Sequence, residues 1–147
     1  MLFRSSIKEV CSIADKTVDI SDIVFKIGPR INASGRLYNG SEAVQLLTSS
    51  NDEVLLRKST DIDSYNSERK DIDKSTTEDA KRQFCQQPDY CNKKSIVLYN
   101  PLWNKGIVGI VASRIAEEFC RPTIILIDNE DGLIGRQIGR ASCRERV

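Results

Sequence analysis

Apolar residues near the start of the chain recur at the spacing of two short amphipathic helices. The two sets are Ile7, Val10, Cys11 and Ala14, followed by Ile20, Ile23, Val24 and Ile27. Residues three or four apart share one face of a helix, so each set predicts a helix with one buried side. Gly28 and Pro29 predict the end of the second helix, because proline lacks the amide hydrogen that a helix uses and glycine favours a C-terminal cap.

The segment after that break predicts a loop and then a third short helix. Residues 28–37 have the sequence Gly-Pro-Arg-Ile-Asn-Ala-Ser-Gly-Arg-Leu. Glycine permits backbone conformations that other residues avoid, so we expect this loop to present backbone amides and the side chains of Arg30, Asn32 and Arg36. Ser41 is a suitable N-cap for a helix over residues 42–47.

The chain from Asn51 to Cys85 contains no glycine or proline and is dominated by charged residues. This pattern predicts one long, mostly solvated helix of about 50 Å, at ~1.5 Å per residue. The alternative is a pair of helices that meet near residues 75–77, where Thr76 or Thr77 would cap the second. The sequence Gln-Gln-Pro-Asp at residues 86–89 marks the end of the helical region.

Beyond that boundary, two short apolar runs rich in β-forming residues predict strands at residues 95–99 and 123–127. Residues 105–119 between them predict a helix with a strongly apolar face. Two strands joined through a helix form a parallel βαβ unit, whose sheet we expect to be covered on both faces. Because such a unit has exposed edges, further strands are expected after residue 127. The sequence therefore predicts an α/β fold.

The end of the chain repeats a short motif, since Ile134-Gly135-Arg136 recurs as Ile138-Gly139-Arg140. Residues 138–147 also resemble the translation of a common sequencing-adapter oligonucleotide. We therefore expect residues 134–147 to be a non-native tail and assign them no function. The alternative is a genuine basic tail.

Composition narrows the classes of function. The net charge is +1, from 22 basic and 21 acidic residues, so binding to nucleic acid would depend on local patches. Five cysteines without a Cys-x-x-Cys pair, in a chain with no histidine, argue against a structural metal site. No apolar run reaches the ~20 residues of a membrane helix, and the first residues lack a signal-peptide core. We predict a soluble cytoplasmic protein.

Arg30, Asn32 and Arg36 form the first group of candidates for nucleic-acid contacts. A guanidinium suits this role because its planar fork grips two phosphate oxygens at once. The alternative is that these arginines pair with carboxylates of a following helix. Spacing alone does not decide between the two.

The second group of candidates is Trp103, Lys105 and Arg114. The indole ring of Trp103 could stack on a base, and Lys105 could reach a phosphate. The pattern favours the alternative of packing, in which Trp103 covers a core and the small residues at 106, 109 and 112 let the helix lie close on a sheet. In that case Arg114 reaches back to a carboxylate.

The long helix also carries aspartates at positions 61, 63, 71 and 73. Paired aspartates are typical of two-metal sites. Residues two apart on a helix point in different directions, however, and no histidine accompanies them. We therefore expect a solvated charged face.

Three segments together resemble the RecJ family of single-strand-specific DNA exonucleases, which belongs to the DHH phosphoesterase superfamily. They are residues 28–37, an Asn66-to-Arg69 pattern in the long helix, and residues 103–114 (Trp-Asn-Lys-Gly-Ile-Val-Gly-Ile-Val-Ala-Ser-Arg), in the order and approximate spacing of that family. The resemblance implies that residues 1–50 are the C-terminal helices of the DHH catalytic domain. Residues 51–88 would be the connecting helix, and residues 94–133 the start of the DHH-associated domain with an incomplete βαβ unit.

The resemblance also implies a parent enzyme that degrades single-stranded DNA from the 5′ end in DNA repair and recombination. Its hydrolysis of phosphodiesters depends on Mn²⁺ or Mg²⁺. Its partner is single-stranded DNA, and it does not bind a membrane. A repair helicase or a single-strand-binding protein is an implied protein partner. The aspartates and the Asp-His-His motif that hold the family's metals are not present in this sequence. As an internal fragment, the chain is expected to contribute DNA binding, no catalytic residue and no bound metal, and to be inactive alone. Asn104 stands where RecJ-like sequences have histidine.

Two other functions stay open. The first is a DHH-superfamily phosphodiesterase that acts on short oligonucleotides or cyclic dinucleotides, and it would favour substrates of a few nucleotides. The second is a non-catalytic helical binding or scaffold protein built on the long helix, in which case the complete gene would also lack the metal-binding motifs.

Overall fold

The computed structural model describes residues 3–13, 17–130 and 132–139 and divides the chain into two compact units, Met1–Lys70 and Asp71–Val147. The helices are α1 (Phe3–Val10), α2 (Ile20–Asp22), α3 (Gly28–Leu37), α4 (Ser41–Thr48), α5 (Asp52–Cys85) and α6 (Val108–Phe119), with a π-helical turn at Ile23–Ile27 and a 3-10 turn at Tyr90–Asn92. The strands are β1 (Ile96–Tyr99), β2 (Thr123–Asn129) and β3 (Gly132–Ile138). The predicted α/β class is confirmed.

The core of the first unit brings together apolar side chains from α1 and the three residues after it, from α4 and from the first half of α5. It consists of Ile7, Cys11, Ile13, Ala43, Leu46, Leu55 and Ile62. The helical spacing of Ile7 and Cys11 is explained by this burial. Beside the core, the buried Lys58 of α5 is paired with Glu42 of α4, which holds the two helices together through charge as well as apolar contact.

The predicted apolar face of the second helix is mostly exposed. Ile20, Ile23 and Val24 are each more than half exposed, and only Ile27 packs partly against the core. The prediction of a buried side is therefore wrong for three of the four residues. Helical spacing identifies a face, but the described part of this unit places no element over it.

Residues 28–37 form helix α3, so the predicted loop is wrong. Gly28 has ordinary right-handed helical angles (φ −55°, ψ −46°), and its amide donates to the Ile23 carbonyl across the preceding π-helical turn. The wider turn leaves Pro29 in the first turn of α3, where a missing amide hydrogen is tolerated. A β-carbon at position 28 would lie 3.1 Å from the Ile23 carbonyl oxygen, a tight contact that glycine avoids.

Two helices begin elsewhere than predicted, and an asparagine accounts for each difference. Ser41 is the first residue of α4 and not its N-cap, because Asn39 Oδ1 accepts a hydrogen bond from the Ser41 amide at 3.0 Å. Helix α6 begins at Val108 and not at Lys105, since Asn104 Oδ1 accepts from the Gly106 amide at 2.8 Å and forms a turn before the helix.

Helix α5 is confirmed as one continuous helix of 34 residues, and the alternative with a break at residues 75–77 is wrong. Thr76 and Thr77 are buried within it. Most residues of this helix are exposed or half-buried, as predicted, but ten are buried: Leu55, Lys58, Ser59, Ile62, Asn66, Asp73, Thr76, Thr77, Ala80 and Phe84. Within the described residues, no helix combines the length and apolar character that crossing a bilayer requires.

The second unit is built on a three-stranded sheet with the order β1-β2-β3. Strands β1 and β2 are parallel, with Ile96 opposite Thr123, and α6 connects them and packs on β2. This confirms the predicted βαβ unit. Strand β3 runs antiparallel to β2, with Thr123 opposite Ile138, which confirms the expectation of a further strand after residue 127.

The sheet is not covered on both faces by the described residues, contrary to prediction. Along β1, Ile96 and Leu98 are buried while Val97 and Tyr99 are exposed. This alternation shows that one face of β1 is covered and the other is open among the described residues. Residues 134–138 of the suspected tail lie in β3, whereas residues 140–147 lie outside the described residues, and the non-native origin of the tail stays a prediction.

The cysteines of the described residues differ in exposure, which allows a simple test of the core. Cys11 is buried, and burial raises the pKa of its thiol, whereas Cys85, Cys91 and Cys120 are exposed. At about pH 8, iodoacetamide should therefore alkylate the exposed thiols at least roughly tenfold faster than Cys11, as mass spectrometry of peptides would measure. Denaturant should abolish the difference. Equal rates in the native protein would show that α1 does not pack as described.

Candidate nucleic-acid interface

Arg30 of α3 is engaged inside the first unit. Its Nε donates to Asp63 Oδ1 of α5 at 2.7 Å, and its Nη1 donates to the Lys26 carbonyl at 2.9 Å. A longer contact of 3.5 Å joins Nη2 to the Val10 carbonyl. The guanidinium thus ties α3 to α5, which confirms for Arg30 the alternative of pairing with a carboxylate. That carboxylate lies on α5 and not on the next helix along the chain.

Asn32 and Arg36 lie on the exposed surface of α3. They are four residues apart, so their side chains leave the helix on neighbouring positions of one face. Arg36 takes part in a polar or electrostatic contact within the chain. Since α3 is helical, its backbone amides are occupied by helix hydrogen bonds after the first turn, and side chains rather than a cradle of amides form this surface.

Tyr38 follows α3 directly and connects it to α5. Its ring stacks on Tyr65 with centroids 4.1 Å apart and planes inclined by 29°. Its hydroxyl donates to Glu68 Oε2 at 2.5 Å, and this hydrogen bond raises the pKa of the Tyr38 phenol. The phenol is therefore protonated at neutral pH, and its ring is held on two sides while half of its surface stays exposed.

Asn66 and Arg69 of α5 present polar atoms without partners in the described structure. Asn66 is 2% exposed, and neither its Oδ1 nor the buried Nε of Arg69 has a hydrogen-bond partner. Leaving such a group unsatisfied costs about 1–3 kcal/mol. The two residues are three apart and so lie on adjoining positions of the helix surface. Buried polar atoms of this kind call for a ligand, a water molecule or a further chain segment.

Trp103 belongs to the second unit and is buried. Its Nε1 donates to Asp79 Oδ2 at 3.0 Å, and the Asn100 side-chain amide donates to the same oxygen at 3.3 Å. Asp79 thus fixes the turn after β1 to α5. The indole ring is part of the packing, as the favoured alternative from sequence expected.

Arg114 and Lys105 have different environments in the second unit. Nη2 of Arg114 lies 2.8 Å from Oδ2 of Asp73, whose side chain is 3% exposed. The expectation that Arg114 reaches back to a carboxylate is confirmed. Lys105 is exposed in the turn before α6, and the described residues offer it no ion pair or hydrogen bond.

The aspartates of α5 are distributed among basic and aromatic partners. Asp63 pairs with Arg30, Asp73 with Arg114, and Asp79 with Trp103. Asp73 is buried, so the predicted solvated charged face is wrong at that position. Among residues 3–13, 17–130 and 132–139, no three His, Cys, Asp or Glu side chains gather as metal ligands would.

The structure brings Arg30, Asn32 and Arg36 together on α3, and it places Trp103, Lys105 and Arg114 in the second unit. Tyr38, Tyr65 and Glu68 were not predicted from the sequence. The available signal was weak: Tyr38 adjoins the Gly28–Leu37 segment, and positions 65 and 68 share a helix face. The stacking of Tyr38 on α5 depends on how α3 packs, which spacing does not reveal.

No family model matches this sequence. Similar proteins include the single-stranded-DNA-specific exonuclease RecJ of Haemophilus influenzae, 34% identical over 137 residues, and that of Dickeya dadantii, 37% identical over 134 residues. These alignments cover 89% and 86% of this chain but 24% and 23% of the relatives. The chain therefore spans about a quarter of the length of these relatives.

Solved structures of RecJ proteins are also similar to this chain. The structure of RecJ from Thermus thermophilus in complex with Mg²⁺ superposes with a TM-score of 0.73 at 27% identity, covering 94% of this chain and 21% of that one. An exonuclease RecJ bound to manganese superposes with a TM-score of 0.72 at 26% identity, covering 86% and 31%. The recognised resemblance to the RecJ family is thereby confirmed. The roles of the six candidate residues and the domain boundaries stay predictions.

Proposed function

We propose that this chain is an internal portion of a RecJ-type exonuclease that hydrolyses single-stranded DNA from the 5′ end. The observation that carries the proposal is the match to RecJ proteins over most of the chain, in sequence and in fold. In this proposal, residues 1–50 close the catalytic domain, residues 51–88 connect it to the associated domain, and residues 94–133 begin that domain. The parent enzyme serves DNA repair and recombination.

The six candidate residues divide into two roles. Asn32, Arg36 and Lys105 are exposed and would contact DNA. The positive charges of Arg36 and Lys105 would each bind a phosphate. Arg30, Trp103 and Arg114 already use their polar groups on Asp63, Asp79 and Asp73. These three residues would hold the neighbouring helices and turns in place and would not contact DNA directly.

The metal of the proposed reaction is not held by these residues. The relatives' structures contain Mg²⁺ or manganese, and such an ion would stabilise the charge that develops on the phosphate during hydrolysis. In the described residues, the carboxylates of Asp63, Asp73 and Asp79 are each tied to a different partner, so this donor set does not fit a metal centre. We propose that the metal ligands belong to the rest of the longer enzyme and that this chain alone is inactive.

The proposal is tested by Arg36→Ala in the full-length protein that contains this sequence. We expect weaker binding to single-stranded DNA and a smaller slope of log affinity against log salt, by about 0.7, since each lost phosphate contact removes the release of about one counterion. Fluorescence anisotropy across a salt titration measures both quantities. Arg57→Ala is the matched control, because Arg57 is an exposed arginine of α5 outside the candidate group.

The wild-type enzyme should also shorten single strands from the 5′ end when Mn²⁺ or Mg²⁺ is supplied. A length series distinguishes this activity from hydrolysis restricted to a few nucleotides. Failure to cut single strands of any length would refute the proposed function, and an unchanged salt slope in Arg36→Ala would remove Arg36 from the interface.

A further inference from the structure

Tyr38 presents an aromatic ring that is fixed in place without being covered. One ring face stacks on Tyr65, and the hydroxyl is anchored to Glu68 of α5. The side chain is nevertheless 50% exposed. Half of the side chain thus remains accessible to a ligand although the ring is fixed at one face and at its hydroxyl. A base that stacked there would order little additional side-chain freedom, because the ring is already positioned.

Two arginines occur close in sequence to the stacked rings of Tyr38 and Tyr65. Arg36 precedes Tyr38 by two residues and is exposed at the end of α3. Arg69 lies one helical turn beyond Tyr65 on the same face of α5, roughly 6 Å away between β-carbons. The described residues offer the guanidinium of Arg69 no hydrogen-bond or ion-pair partner, and its Nε is buried. Glu68, the carboxylate next to Arg69 in sequence, is already used by Tyr38.

We propose that Tyr38 is a stacking platform for a base of single-stranded DNA and that Arg69 binds the adjacent phosphate. An aromatic face beside a cation is the combination that binds unpaired strands with little sequence preference, since every base has a face that can stack. A carboxylate of another protein segment would satisfy Arg69 but would leave the ring face of Tyr38 without a role. The inference rests on the proposed function and adds two residues to its interface.

The test compares two single strands of equal length, oligothymidylate and a fully abasic strand, in anisotropy titrations with the full-length protein. Tyr38→Ala should weaken binding of oligothymidylate by about tenfold and leave the abasic strand unaffected. Tyr38→Phe keeps the ring and should bind both strands as the wild type does. Arg69→Gln should weaken binding of both strands and lower the salt slope by about 0.7.

The outcomes separate this inference from the proposed function. If the wild-type protein binds both strands and Tyr38→Ala binds oligothymidylate as tightly as the wild type does, the base-stacking platform is overturned. The exonuclease proposal then stands. An equal loss on both strands also overturns it, because a ring that only packs α3 on α5 does not distinguish bases from backbone. If Tyr38→Ala does not fold, Tyr38→Leu keeps an apolar contact with Tyr65 without an aromatic face and carries the same expectation. If the wild-type protein binds neither strand, both proposals are overturned.

Discussion

Replacing Phe84 by Ala is expected to destabilise the second unit by about 4 kcal/mol, within the roughly 3–5 kcal/mol found for buried aromatic truncations. Phe84 is completely buried near the end of α5. Its ring meets Phe119 and Tyr90 edge-on, with centroids 4.9 and 5.6 Å away. The guanidinium carbon of Arg121 lies 5.9 Å from its centroid. Truncation would leave a cavity where α5, α6 and the 3-10 turn meet.

The loss can be measured by urea denaturation followed through Trp103. The chain has a single tryptophan, and it is buried in the second unit, so its fluorescence reports on that unit. Leu133→Ala is the control in the same unit, because Leu133 is 64% exposed and its truncation should change stability by less than about 0.5 kcal/mol. A loss below about 1 kcal/mol for Phe84→Ala would show that the ring is not packed in a core.

Arg114→Gln is expected to destabilise the second unit by about 2 kcal/mol. The substitution leaves the buried carboxylate of Asp73 with only the Thr77 hydroxyl, 3.5 Å away, among the described residues. Removing one partner of a fully buried ion pair costs about 3–5 kcal/mol. The cost should be smaller here because the Arg114 side chain is 51% exposed and partly solvated.

The second substitution Asp73→Asn should recover part of that loss, since it removes the unpaired charge. A double-mutant cycle by urea denaturation measures the coupling. Lys105→Gln is the control for charge loss: Lys105 is exposed in the same unit, and its replacement should change stability by less than about 0.5 kcal/mol. Unchanged stability in Arg114→Gln, together with a lower salt slope of DNA binding, would instead place Arg114 among the phosphate contacts.

Local patterns were sufficient where one segment determines its own structure. Residues 52–85 contain no glycine or proline, and they form one helix. The apolar β-forming runs became β1 and β2, and their parallel pairing follows from the helix that connects them. The Gly28–Pro29 pair predicted a helix end, and this prediction was wrong. A π-helical turn upstream allows the helix to continue through a sequence that usually ends one.

The candidate site was less predictable than the elements that carry it. The residue types were identified from sequence, but their partners were not. Arg30 and Asp63 are 33 positions apart, and Trp103 and Asp79 are 24 apart. A charged residue on a helix has the same local pattern whether it faces water, a carboxylate or a phosphate. The buried polar stripe of Asn66, Asp73, Thr76 and Thr77 was therefore mistaken for a solvated surface.

The amino-acid sequence by itself determined the long helix, the βαβ connection and the resemblance to RecJ, because periodicity, turn residues and short motifs act over a few neighbouring positions. Only the tertiary structure decided which side chains are available to a ligand. Burial and ion pairing depend on which helices meet. The contact of α3 with α5 pairs Arg30 with Asp63. It leaves the Tyr38 ring half exposed and the Nε of Arg69 without a hydrogen-bond partner among the described residues.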